Sequence, residues 1–208
     1  FGKAGGSRGL AKAPKAKRWP KPSKATRLQI VPSEILLAPG QAISFRTRKL
    51  DANGFLVEEV DGSTLKWESY IPPTAKVKAR MNASFNERGQ IVADKKMISS
   101  AGAFKATLGG LTGVIRGRVL PAPPLSENFE GFDLTEDSLA DPGVKFAYPP
   151  LPWIGARFKF EVREKDGSNV LRKTIENKRL QRATVFIGEQ SMSNYTVQAD
   201  VLTDGRRR

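Results

Sequence analysis

The side chains in this chain that can do chemistry are few. It has 208 residues, with no histidine and no cysteine. That excludes an imidazole general base, a Ser–His triad, a thiol nucleophile, a disulfide scaffold, and zinc or iron–sulfur sites built on thiolates. Carboxylates remain. Glu58-Glu59-Asp61 and Glu136-Asp137 are the acidic clusters. Paired acids cleave glycosides when they face each other about 5–10 Å apart across a sugar. Both clusters lie in turn-like or loop-like stretches, where they read as solvated charge. Gly109-Gly110 lacks the Lys-Ser/Thr of a phosphate-binding loop and reads as a turn. The DxDxDG spacing of a calcium loop is absent. The expectation is a non-enzyme with no cofactor and no metal site.

Binding chemistry is better represented. Tyr148, Trp153 and Tyr195 are the candidate ligand-binding residues, because sugars stack on exposed aromatic rings. Trp153 sits in the rigid run Pro149-Pro150-Leu151-Pro152-Trp153. It can plug the end of a sandwich, form a sugar platform or contact a partner. Trp19, between Arg18 and Pro20, can dock on a groove or have no role.

The net charge is +14, and most of the excess is in the tail. Residues 1–27 carry nine basic residues and no acidic one. Lys12, Lys15, Lys17, Arg18, Lys21, Lys24 and Arg27 are the candidate polyanion-binding residues. Such an arm grips phosphates or an acidic polymer by counterion release. The competing reading is a disordered spacer stiffened by Pro14, Pro20 and Pro22. Residues 120–150 reverse the sign, with six acidic residues against one basic.

The elements that would position these groups are strands. Ile43, Phe45 and Thr47 alternate with Arg46 and Arg48, the period of two of a half-buried strand. Leu65 and Trp67 share a face, and Trp67 reads as a core residue packing across two sheets. Residues 75–79, 90–93, 102–108 and 111–119 continue the series, with turns at Asn53-Gly54 and Gly109-Gly110. About seven or eight short strands in this span predict a β-sandwich or barrel. Past Pro121 to Pro124 the chain is Pro-rich and acidic. Strands are then predicted at 158–164, 170–173, 183–188 and 195–201, with a hairpin turn at Asp166-Gly167. No run of about 18 apolar residues occurs, so no membrane span is expected.

Val31-Pro32-Ser33-Glu34-Ile35-Leu36-Leu37-Ala38-Pro39-Gly40-Gln41, then Asp51-Ala52-Asn53-Gly54, Trp67, Gly89 and Thr107-Leu108-Gly109-Gly110-Leu111 resemble bacterial Ig-like domains in their order. The missing Cys pair excludes the antibody type. Asn128-Phe129-Glu130 and residues 193–201 resemble concanavalin-like (laminin-G-like) jelly rolls. The whole order resembles the C-terminal region of planctomycete-type proteins that carry a quinoprotein-like (PQQ-like) β-propeller. The resemblance implies an all-β chain in four parts. They are a disordered basic linker (1–27), an Ig-like sandwich (28–119), an acidic Pro-rich connector (120–150) and an incomplete concanavalin-like domain (151–208).

The implied function is a non-catalytic periplasmic or cell-surface module that spaces, anchors or binds ligand. The implied partners are other domains of the parent chain and cell-surface glycan or acidic polymer, with nucleic acid ranked lower. The start at Phe1-Gly2-Lys3 reads as an internal or processed end, and the last strands as a domain cut short. No propeller repeat is present, so no quinone-binding residue carries over. No calcium loop of the jelly roll can be placed.

Overall fold

A computed structural model describes residues 20–96, 98–174 and 183–203. Among them the protein is all-β. The first ten strands are β1 (Arg27–Val31), β2 (Glu34–Leu37), β3 (Ala42–Ile43), β4 (Arg46–Leu50), β5 (Leu56–Val60), β6 (Lys66–Tyr70), β7 (Ala83–Phe85), β8 (Ile91–Ala93), β9 (Ser100–Leu108) and β10 (Leu111–Val119). One sheet has the order β2-β10-β9-β6, with β2 parallel to β10. The opposite layer holds β1-β4-β5 and β3-β8-β7, joined through the consecutive strands β3 and β4.

Alternation explains how the layers meet. In β1, Leu28 and Ile30 are buried while Arg27 and Gln29 face solvent. In β10, Ile115 and Val119 point inward while Val114 and Arg116 point out. The inward residues of both layers form one core, with Leu37, Ile91, Phe104 and Ala106 near its centre. Trp67 on β6 stacks on Phe85 of β7 at 4.3 Å between ring centroids, and Phe45 meets its edge at 5.0 Å. Trp67 therefore bridges the two sheets, as its position in the sequence predicts.

Two constraints set the ends of this sandwich. Gly102 and Gly117 face each other across β9 and β10, and the chain crosses directly above them at Arg80-Met81. A Cβ at Gly102 would collide with the backbone nitrogen of Met81 and lie 2.8 Å from the carbonyl carbon of Arg80. A Cβ at Gly117 would lie 2.8 Å from Cγ1 of Ile35. At the other end, the buried carboxylate of Asp51 accepts from the N–H groups of Asn53 and Phe55, each at 2.9 Å. It also accepts from the N–H and Oγ of Ser23, at 3.0 and 3.2 Å. The incoming chain is thereby tied to the β4–β5 turn. The Ser23 amide is the main reason the Asp51 carboxyl titrates below the usual aspartate value, with Phe55 and Asn53 adding to it against burial.

Beyond Pro121 a second unit follows. β11 (Glu136–Asp137) pairs with β12 (Lys145–Phe146), and β13 (Phe160–Lys165) pairs with β14 (Ser168–Lys173). Ala147 and Val162 exchange both backbone hydrogen bonds at 2.9 Å and join the two hairpins. Ile154 does the same with Phe186. Asp166 and Gly167 have φ of 55° and 86°, the left-handed pair a two-residue hairpin loop needs.

Five expectations are corrected. Residues 75–79 alternate in exposure but form no strand, because no neighbouring strand offers a ladder. Residues 183–188 contribute one isolated bridge, and residues 195–201 form no strand. The acidic segment 120–150 is more than a connector, since it supplies β11 and β12. The acidic clusters are mostly on strands, although Asp61 caps the turn that follows β5. Glu58 and Glu59 stand on β5 and pair with Lys49 and Arg48 of β4, and Glu136-Asp137 is β11.

Replacing Gly102 with Ala is expected to lower unfolding free energy by about 1–3 kcal/mol through overpacking against backbone that cannot yield. Gly131→Ala, where a Cβ meets nothing within 4 Å, should stay within about 0.5 kcal/mol. Urea denaturation of both variants checks this.

Candidate functional site

Between the sandwich and the second unit lies a groove of about 920 Å³. Its sandwich wall carries Lys76, Lys78 and Arg80, the exposed members of an alternating stretch. Pro121, Pro124 and Leu125 line its floor. Phe132, Tyr148 and Pro149 to Pro152 line the far wall, with Glu127, Asp133 and Glu136 beside them. None of these three cations or three carboxylates makes an ion pair among the described residues. The groove is mixed in character, with proline and aromatic residues among charged side chains of both signs.

The far wall is held by a buried polar cluster. Arg163 of β13 is 3% exposed. Its Nε donates to Oε2 of Glu161 at 2.7 Å, its Nη2 to Oγ of Ser138 at 2.9 Å, and its Nη1 to Oδ2 of Asp141. Ser138 in turn donates to Glu161 at 2.9 Å and accepts from the amides of Ala140 and Asp141. Burial works against the Arg163 charge. The hydrogen bonds to Asp141 and Glu161 outweigh it and raise the pKa above the usual arginine value. The Arg163 hydrogen bond likewise holds the Asp141 carboxyl below the usual aspartate value. A serine beside a carboxylate and a guanidinium could pass for a catalytic group. Here the Ser138 oxygen is engaged on every side, so the arrangement joins β11–β12 to β13 and presents no free nucleophile.

A second clamp works through Asn169 of β14. Its Nδ2 donates to the carbonyls of Phe129 and Phe132, and Glu130 accepts from its amide and from Oγ of Ser168.

The structure separates the three predicted aromatics. Tyr148 lines the groove. Trp153 stands behind it, half-buried, with Phe129 meeting its ring edge-on at 5.8 Å. Tyr195 is 58% exposed and touches no other ring among the described residues. Of the basic arm, Lys12, Lys15, Lys17 and Arg18 lie outside the described residues, as does Trp19. Lys21 and Lys24 are exposed, with no ion pair among the described residues. Arg27 is committed to the β4–β5 turn, where its Nη2 donates to the carbonyls of Asp51 and Ala52 at 3.3 and 3.0 Å.

Sequence reasoning missed Phe132, the Lys76-Lys78-Arg80 row and Arg157-Phe158. The period of two at 75–80 was the available signal for the cationic row. It was read as a strand because alternation reports two-sidedness and not a partner. No family model matches the chain, and no curated protein matches it either.

Arg163→Ala is expected to cost about 3–5 kcal/mol, because it strands buried Glu161 without its cation. The pH dependence has a fixed sign. Asp51 and Asp141 have folded pKa values below their unfolded ones. Their contribution is complete above the unfolded value and is lost as pH falls through the folded one. Urea midpoints should be flat from about pH 7 to 5 and fall below about pH 4. Asp141→Asn should remove part of that acid-side fall.

Proposed function

We propose that this chain is a non-catalytic β module of an extracytoplasmic protein, an Ig-like sandwich carrying a concanavalin-like unit, and that it binds carbohydrate in the groove between them. The observation that supports binding is the far wall of Phe132, Tyr148 and Pro149 to Pro152. An apolar cleft with aromatic faces and a few polar groups is the usual form of a small-ligand site. Sugars suit it because their C–H faces pack on rings while their hydroxyls meet polar side chains at the rim. Lys76, Lys78, Arg80, Glu127, Asp133 and Glu136 supply donors and acceptors around it.

The Ig-like reading draws support from the parallel pairing of an early strand, β2, with the last one, β10, in a two-layer sandwich. The placement outside the cytoplasm, and the place beside a PQQ-like propeller in a longer protein, follow from the resemblance in the sequence. Partners are then other domains of that parent chain and surface glycan.

The alternative is polyanion binding through the basic arm. Exposed Lys21 and Lys24 favour it, whereas Arg27 is already engaged with the β4–β5 turn.

Calorimetric titration of the chain with a panel of oligosaccharides tests the proposal. At least one should bind, with Tyr148→Ala weakening it about tenfold, the equivalent of ~1.4 kcal/mol. Trp153→Ala should mainly lower stability. Silence across the panel, with tail-dependent and salt-sensitive binding to heparin or duplex DNA, would overturn the groove reading in favour of the arm.

A further inference from the structure

Arg157 occupies a singular position. Its guanidinium lies 4.6 Å from the ring centroid of Tyr148 and 4.9 Å from that of Phe158. Those rings meet nearly edge to face, 6.4 Å apart, and make a corner around the cation. Arg157 makes no ion pair among the described residues, and its Nε is buried with no acceptor. The residue as a whole is half-buried, so it is not sealed from solvent. The contrast with Arg163 is direct, since that guanidinium is satisfied on all sides.

Phe158 carries two costs at once. Its φ is 67°, a region that bulky residues rarely occupy. The residue is also 73% exposed. Backbone strain held by surrounding structure collects at ligand sites. Here the support is explicit. The Ile154–Phe186 bridge and the Lys159 Nζ bond to the Thr184 carbonyl at 3.1 Å hold the turn from both ends. Gly155, with φ of 81°, allows the Thr184 carbonyl to approach closely.

We infer that Arg157, Tyr148 and Phe158 form a binding site for the carboxylate of an acidic sugar, a uronic-acid unit of a glycan. A guanidinium is a fork of planar donors matched to a carboxylate. The exposed Phe158 ring is the flat apolar platform on which the sugar ring packs. Tyr148 belongs to both this corner and the groove, so one ring is shared by the two places. The groove itself, lined by three cations and three carboxylates, is no track for a polyanion. The negative charge is therefore read at one point, by Arg157. The inference rests on the glycan reading above and narrows it to acidic glycans.

The test is calorimetric titration of the full chain with a galacto-oligosaccharide carrying a single galacturonate unit and, in parallel, its fully neutral counterpart at constant ionic strength. The acidic oligomer should bind the more tightly. Arg157→Gln should weaken it about tenfold to hundredfold, the range for a hydrogen bond to a charged group, and leave the neutral oligomer unaffected. Arg157→Lys should restore little, since it keeps the charge but loses the fork. Phe158→Gly suits the positive φ, so it should keep or raise the melting temperature while weakening the acidic oligomer. That separates a lost site from a lost fold. Equal affinity for both oligomers, unchanged in Arg157→Gln but lost in Tyr148→Ala, would overturn this inference and leave the glycan reading standing. Binding of a peptide through its free C-terminal carboxylate, without uronate binding, would overturn the choice of ligand. Silence toward every saccharide would overturn both.

Discussion

The buried charge of Arg163 is the constraint on which the second unit depends. Two short hairpins, β11–β12 and β13–β14, are each too small to hold their shape alone in water. Their apolar core is slight, with Phe146, Ala147, Ala156 and Val162 as its buried members. Arg163, Glu161, Ser138 and Asp141 join them where hydrophobic area is scarce. A buried guanidinium is tolerable only with full compensation, and the cost of leaving one member unpaired fixes a single arrangement. That arrangement places Ala147 against Val162 and so sets the path of the next residue, Tyr148. The groove wall is in this sense a consequence of an ion cluster that does not itself line the groove.

The sandwich rests on a different kind of constraint, the close approach of backbone. Gly102 and Gly117 remove side chains where Arg80-Met81 must cross, and the crossing brings the Lys76-Lys78-Arg80 row to the groove. Asp51 acts at the opposite end, where it gathers four donors onto one carboxylate. Apolar burial supplies the bulk of the stability between these ends, and the two local devices decide how the chain enters and closes the fold.

Much of this was legible in the residues. Period-two runs located β4, β6, β9 and β13, although the run at 42–48 divides into β3 and β4 of different sheets and Phe158 falls in the turn before β13. The pairs Gly109-Gly110 and Asp166-Gly167 marked hairpins that the structure shows, and Trp67 was read correctly as a bridge between sheets. The failures share one cause. Alternation at 75–79 and 195–201 signals a two-faced segment, but a strand exists only where a neighbour completes its ladder, and the neighbour is not a local property. Segment 120–150 failed in the opposite direction. Its prolines and acids look like linker composition, while its structure comes from Ser138 and Asp141 meeting Arg163, more than twenty residues on. Tyr148 was among the aromatics singled out from the sequence, and it lines the groove. Arg157 was not legible, because nothing in the sequence distinguishes a cation that will find a carboxylate from one that will find only rings.

That last distinction carries the functional reading furthest. The second unit holds two arginines six positions apart with opposite fates. Arg163 is almost sealed from solvent and meets two carboxylates and a hydroxyl. Arg157 is half-buried and meets two aromatic faces and no anion. If the fold needed only cationic packing at position 157, an aliphatic residue would fill the corner without the unsatisfied Nε. If it needed only charge at the surface, the side chain could extend into water and Phe158 could relax to negative φ. The observed state satisfies neither demand. It holds a planar cation beside an exposed ring, on a turn braced from residues 184 and 186. An incoming carboxylate would complete that site by supplying the counter-charge the protein withholds.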